Sequence, residues 1–127
     1  MSNRAVIQTG DAPEAIGPYS QAIKVANTVW ISGQIPLDPA TMEVVDGGIT
    51  EQATRVFENL KAVAGAAGAS LDQAVKINIS LTDMSDFAAV NEVMAGVFTE
   101  PYPARACVQV AALPKGVAIE VEAILAL

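Results

Sequence analysis

Residues 103–123 read PARACVQVAALPKGVAIEVEA, and how this stretch pairs decides the fold. It carries two strand patterns around a Pro-Gly turn signal. Over residues 105–110, Arg105, Cys107 and Gln109 alternate with Ala106, Val108 and Val110, so the two sets fall on opposite faces of a strand. Over residues 117–125, Val117, Ile119, Val121 and Ala123 share one face and Glu120 and Glu122 the other. Pro114 and Gly116 mark the turn between them. The expectation is an antiparallel hairpin with Val110 opposite Val117. In that register Cys107 faces Glu120 and Arg105 faces Glu122, which gathers the lone cysteine, an arginine and two carboxylates on one sheet face. A slip of one residue sends them to opposite faces.

Working back from that stretch, a helix follows Asp83 and runs to about Phe98, with Phe87, Val90, Met94 and Val97 as its buried stripe. Asn91 falls on or beside the stripe, and Asp83 supplies the cap, with Asp86 in the first turn. Residues 74–82 alternate Val75, Ile77, Ile79 and Leu81 with Lys76, Asn78, Ser80 and Thr82, a strand with one face on the core. Residues 49–67 are the clearest helix: Ile49, Ala53, Val56, Phe57, Leu60, Val63, Ala64 and Ala67 recur at three or four, and Gly68 is the stop. Arg55, Glu58 and Lys61 lie on its solvated side. Residues 36–48 are a loop holding a short strand at Glu43-Val44-Val45. Residues 23–25 and 28–32 pair as a hairpin with Ala26-Asn27 at the tip. Residues 4–8 are an edge strand. The order is β-β-β-α-β-α-β-β, a single α+β domain over residues 1–127 with two helices on one face of a mixed sheet. The other face, carrying Ala, Val and Cys, is open and predicts a homo-oligomer.

Composition removes several function classes. The 127 residues are 52% hydrophobic and carry a formal charge of −7, which argues against a nucleic-acid surface, since that needs clustered Lys and Arg. One cysteine and no histidine exclude an internal disulfide, a Cys/His zinc site within one chain and histidine acid-base chemistry. No apolar run reaches the roughly 20 residues of a membrane span, and the first fifteen residues lack a signal-peptide core. A soluble, cytoplasmic protein is expected.

Six residues have both a structural and a chemical reading. Tyr19, after the Gly17-Pro18 turn, is a half-buried aromatic or a cleft wall. Gly33, after a strand, lets the chain turn or lets backbone approach another group. Asn91 ties its helix to a neighbour or fixes a ligand. Arg105 is a surface residue, the partner of Glu122, or a clamp for a small carboxylate. Cys107 is a small apolar residue or a nucleophile without a histidine to activate it. Glu120 is an interface charge or a carboxylate that positions or deprotonates a water.

Five motifs in order, GPYSQA (17–22), ISGQIP (31–36), the NE pair at Asn91, PARACVQVAALPKG (103–116) and IEVEAI (119–124), resemble the RidA family, also called the YjgF or reactive intermediate deaminase family. The resemblance spans nearly the whole chain. It implies a chorismate-mutase-like α+β fold, a homotrimer with a central barrel and sites between subunits. It implies hydrolysis of 2-imino acids, released by pyridoxal-phosphate enzymes, to 2-keto acids and ammonia, with no metal or organic cofactor. Arg105 would then clamp the substrate carboxylate and Glu120 orient the attacking water. Backbone near Cys107 would contact the imine, with Tyr19, Ser32, Gly33 and Asn91 shaping the cleft. The short Glu100-Pro101-Tyr102-Pro103 connection, Gln109 in place of a common acidic residue and the ILAL end depart from the family pattern. The runner-up is a non-catalytic module binding a small keto or carboxylic acid, and an endoribonuclease stands behind both.

Overall fold

The computed structural model describes residues 3–127. Its strands are β1 (Arg4–Ile7), β2 (Ala22–Val25), β3 (Thr28–Gln34), β4 (Ala74–Leu81), β5 (Ala104–Gln109) and β6 (Ile119–Ala126). Two helices, α1 (Ile49–Ala66) and α2 (Phe87–Val97), complete the expected element order. The strands form one mixed sheet in the order β1-β2-β3-β6-β4-β5.

The expected β5–β6 hairpin does not form. β4 lies between the two, parallel to β5 and antiparallel to β6. The pattern of each strand explains the placement. On β6, Ile119, Val121, Ala123 and Leu125 are at most 3% exposed, as suits a strand at the centre of a sheet. On β5 only Cys107 is half-buried, as suits an edge. α2 carries the chain from β4 over to a parallel neighbour, the usual use of a helical crossover. Residues 110–118 then step back across β4, through a 3-10 turn at Pro114–Gly116 whose Lys115 adopts φ 57°.

Pairing fixes the faces. One row runs Arg105–Ile77–Ala123 and the next Cys107–Ile79–Val121; both face the helices. Glu120 pairs with Ser80 and Glu122 with Asn78, on the other face. Arg105 and Cys107 are therefore parted from both carboxylates, and Glu122 takes a hydrogen bond from Asn78 Nδ2 (3.0 Å) in place of the expected arginine.

Phe57 and Leu60 of α1 and Val90 of α2 are fully buried against the helix-side rows, and Phe57 meets Phe98 edge-on at 5.9 Å between ring centroids. The opposite face is open. A row of Val6, Ile23, Trp30 and Ile124 crosses four strands there, with Trp30 52% exposed. Cys107 is not on that face, contrary to expectation.

Local details refine other expectations. At the β2–β3 tip the positive φ falls on Ala26 (50°). The Glu43–Val45 strand reduces to one bridge between Leu37 and Val44. A register shift between Ala74 and Lys76 throws Val75 out of the apolar face, 48% exposed. Asp83 caps a 3-10 turn, Met84–Asp86, that leads into α2 rather than α2 itself, by accepting the Ser85 N–H, which holds its carboxyl below the usual range. Gly68 ends α1 at φ 75°.

Arg55 is not simply solvated: its Nε donates to Oδ1 of Asn59 at 3.0 Å. Asn59 is fully buried on α1, and its Nδ2 donates to the carbonyls of Leu37 (3.1 Å) and Ile35 (3.3 Å). It ties the loop after β3 to the helix. Removing it strands those carbonyls away from water. Asn59→Ala should lower unfolding free energy by about 2–3 kcal/mol, read by denaturant unfolding at fixed protein concentration.

Candidate functional site

The residues singled out above divide into two clefts on opposite faces of the sheet. The first begins with an irregularity that the sequence pattern does not reveal. Between β3 and β6 the register advances three residues on β3, Ile31 to Gln34, against two on β6, Ala123 to Val121. The extra residue makes a bulge at Ser32-Gly33, which bends the strand and re-aims its groups. Ser32 Oγ donates to the Ser20 carbonyl (2.5 Å) and Ser32 N–H to that of Gln21 (2.9 Å), which pins the bulge to the segment after Tyr19. Gly33 lies under the Glu120 carboxyl: a Cβ there would be 2.8 Å from Glu120 Cδ and 2.9 Å from its Oε1. The close-approach role considered for Gly33 is the one the fold uses.

Tyr19 closes this cleft. Its Oη accepts the Ile16 N–H at 3.3 Å, and its ring is half exposed. The loop behind it is held by Gln21, 3% exposed, whose Oε1 accepts the Thr9 N–H (2.7 Å) while Nε2 donates to the carbonyls of Pro13 (2.8 Å) and Thr9 (3.0 Å). Gln21 and Asn59 are the residues that sequence reasoning missed. Their signal was a polar side chain inside an otherwise apolar or turn-forming stretch. Tyr19, Ser32, Gly33, Ile35, Glu120 and Glu122 border a cleft of ≈ 510 Å³. Burial pushes the Glu120 carboxyl up from its ordinary pKa, and the Glu122 charge adds to the rise. Such a carboxyl holds and returns a proton more readily near neutral pH than a free one.

The second cleft, ≈ 490 Å³, lies beside α2 and is bordered by Asn91, Met94, Ala95, Tyr102, Pro103 and Arg105. The short connection before β5 thus supplies two of its walls. Arg105 Nη1 donates to Asn91 Oδ1 and approaches Met94 Sδ at 3.8 Å. Its Cζ lies 5.0 Å from the centroid of the Phe87 ring. All three partners are uncharged, so the guanidinium keeps its full charge for an anion. Asn91 spends its amide oxygen on this arginine. Cys107, in the next helix-side position of β5, is half-buried against the core. Burial raises its thiol pKa, and the charge of Arg105 only partly offsets that, so Cys107 is a thiol rather than a thiolate at neutral pH. Gln109 Oε1 accepts the Met84 N–H (2.8 Å) and ties β5 to the start of the α2 segment.

Among the described residues, no three His, Cys, Asp or Glu side chains converge to hold a metal ion, and no helix is long and apolar enough to cross a membrane.

The fold and its two clefts define an α+β protein that pairs an uncompensated arginine with a half-buried acid, each on its own face of the sheet. The family model described as Endoribonuclease L-PSP matches residues 9–127, and the chain belongs to that family, which takes in the RidA and RutC proteins. The crystal structure of RidA from the Antarctic bacterium Psychrobacter sp. superimposes with a TM-score of 0.94 at 59% identity, over 97% of this chain and 99% of that one. The 2-iminobutanoate/2-iminopropanoate deaminase of Dermatophagoides farinae is 48% identical over 124 residues, covering 98% of this chain and 97% of that protein. The mouse protein of the same name is 49% identical over 121 residues, covering 95% and 90%.

The raised Glu120 pKa fixes a sign. The folded protein holds this proton to higher pH than the unfolded chain does. The group therefore costs stability as pH rises from the ordinary carboxylate range through its folded pKa, and the cost then levels off. Glu120→Gln removes that cost. Its unfolding midpoint should match wild type at about pH 4, exceed it as pH rises, and then hold a constant excess, measured by thermal unfolding across that range.

Proposed function

We propose that this protein hydrolyses 2-imino acids, of the 2-iminobutanoate and 2-iminopropanoate kind, to 2-keto acids and ammonia, in a site completed between two copies of the chain. The observation that carries the assembly is the separation of Arg105 and Glu120 onto opposite faces of one sheet. Neither cleft alone holds both an anion clamp and an acid, and a neighbouring copy can bring one chain's Glu120 to another's Arg105. The open apolar row through Trp30 supports a closed homotrimer with a central barrel, because a small protein seldom leaves such a face to water. The deaminase names of relatives at 48–49% identity support the reaction.

In this reading Arg105 takes the substrate carboxylate through two hydrogen bonds. Glu120 accepts a proton from a water as the water's oxygen bonds to C2 of the imine and the C=N pair moves to nitrogen, and Glu120 passes that proton to the nitrogen. The carbinolamine's hydroxyl proton then goes to nitrogen as C=O forms and the C–N bond breaks, which releases ammonia and the 2-keto acid. Tyr19, Ser32 and Gly33 wall the water side and Asn91 the arginine side. Backbone groups near Cys107 meet the imine nitrogen, and the thiol stays protonated. An imine already hydrolyses in water, so holding the reactants in line accounts for much of the acceleration needed. No cofactor enters. The upstream reaction is a pyridoxal-phosphate elimination that releases the imine, and a protein with one cysteine and no disulfide suits the cytoplasm. A net charge of −7 disfavours RNA as the substrate.

The direct assay generates the imine with an amino-acid oxidase and traps what remains with semicarbazide. Arg105→Ala should lower kcat/KM by on the order of a hundredfold, and Gly33→Ala, which crowds Glu120 off its seat, should lower kcat by about ten- to a hundredfold. Imine loss at the same rate with and without wild-type protein would sink the reaction. Keto-acid protection against unfolding without turnover would mark a binding module instead.

Mixing supplies a second prediction. Arg105→Ala and Glu120→Gln chains, dissociated and reassembled together in equal amounts, should regain about a quarter of wild-type sites. Each site draws one intact half from each of two chains, a half chance times a half chance. No regain would place both groups in one chain's site and overturn the shared cleft.

A further inference from the structure

Arg105 belongs to β5, but its side chain is held by residues of α2. Phe87, Asn91 and Met94 recur at i, i+4 and i+7, so helix periodicity stacks them in one stripe. Each restrains the guanidinium differently. Asn91 and Met94 both meet Nη1, while the Phe87 ring lies against Cζ, 5.0 Å from centroid to carbon. Contacts to one nitrogen leave the guanidinium free to turn about it. A ring face against Cζ fixes the plane as well, and attracts the cation through its negative quadrupole. Every side-chain hydrogen bond Arg105 makes among the described residues leaves from Nη1. Nε–H and the two Nη2 hydrogens remain as the edge that can meet both oxygens of a carboxylate. Phe87 packs against the core and is not among the residues that border the Arg105 cleft.

We propose that Phe87 is a positioning residue: its ring holds the plane of the Arg105 guanidinium so that Nε and Nη2 face the carboxylate of the incoming 2-imino acid. The substrate in this statement rests on the proposed hydrolysis, whereas the restraint on Arg105 does not. A fork held in register before binding loses less freedom on meeting its guest. The carboxylate is bound alike in the ground and transition states, so loss of the restraint falls on KM rather than kcat.

Two substitutions separate ring from volume. Phe87→Leu keeps an apolar side chain against the core and removes the ring, and Phe87→Tyr keeps the ring. Phe87→Leu should raise KM for 2-iminobutanoate about 3- to 10-fold with kcat within about twofold, and Phe87→Tyr should restore wild-type KM. In an Arg105→Lys background the Leu substitution should have little further effect, because the group it positions is gone. A structural role would lower kcat and kcat/KM in either background and would not be rescued by ring alone. Relaxation of the Arg105 Nε–H resonance, assigned by its loss in Arg105→Lys, reads the restraint without any substrate. It should show a rigid group in wild type and Phe87→Tyr and a mobile one in Phe87→Leu. Equal rigidity in all three overturns the proposal. Ring-dependent rigidity in a protein that turns over no imine leaves the positioning role standing and removes the hydrolysis.

Discussion

Successive side chains of a β-strand point to opposite faces, and a group moved by one position changes sides. That parity governs this molecule because β4 sits between β5 and β6. Through β4, Arg105 aligns with Ile77 and Glu120 with Ser80, and Ile77 and Ser80 are an odd number of residues apart. The cation therefore lies with the helices and the acid on the open face. The buried rows fix the register: sliding β6 by one residue would drive Glu120 and Glu122 into the core and expel Ile119, Val121 and Ala123. The same apolar packing that stabilises the sheet thus keeps the two chemical groups apart.

Each group is prepared within its own environment. Glu120 sits over a bulge where a Cβ on Gly33 would crowd its carboxyl, beside a second carboxylate, and both burial and that neighbour favour its protonated form. Arg105 has an amide oxygen, a thioether and a ring face as neighbours. None of these neutralises it. Buried amides hold the scaffolds of the acid's cleft, Gln21 the loop that bears Tyr19 and Asn59 the loop that follows Gln34. Polar groups so placed specify one conformation because any other leaves them unsatisfied.

Much of this was legible in the residues. Element order, both helices, the capping by Asp83 and the stop at Gly68 follow from local periodicity and turn chemistry, which act over a few residues. The strand order did not follow. Alternation describes one strand, whereas the choice between pairing β5 with β6 and inserting β4 is a matter of long-range competition for the centre of the sheet. The bulges at Ser32-Gly33 and Val75 were hidden for a related reason: each exists only relative to a partner strand. Arg105, Glu120, Gly33 and Asn91 were singled out by residue type and resemblance, but the expected hairpin put Arg105 and Cys107 on one face with Glu120 and Glu122, which the strand order parts. Asn91 ties its helix to a side chain, that of Arg105, rather than to backbone. Asn59 was overlooked because one amide within an apolar helix stripe does not disturb its period.

The separation also has an electrostatic consequence. Were Arg105 within a few ångströms of Glu120 in the same chain, the pair would lower the carboxyl pKa and compensate the guanidinium. The acid would then be a weak base near neutral pH and the arginine a weaker clamp. Held on opposite faces, each keeps the character its own surroundings impose. Opposite faces thus tune both groups at once, and that asks of the sequence only a strand order and a register.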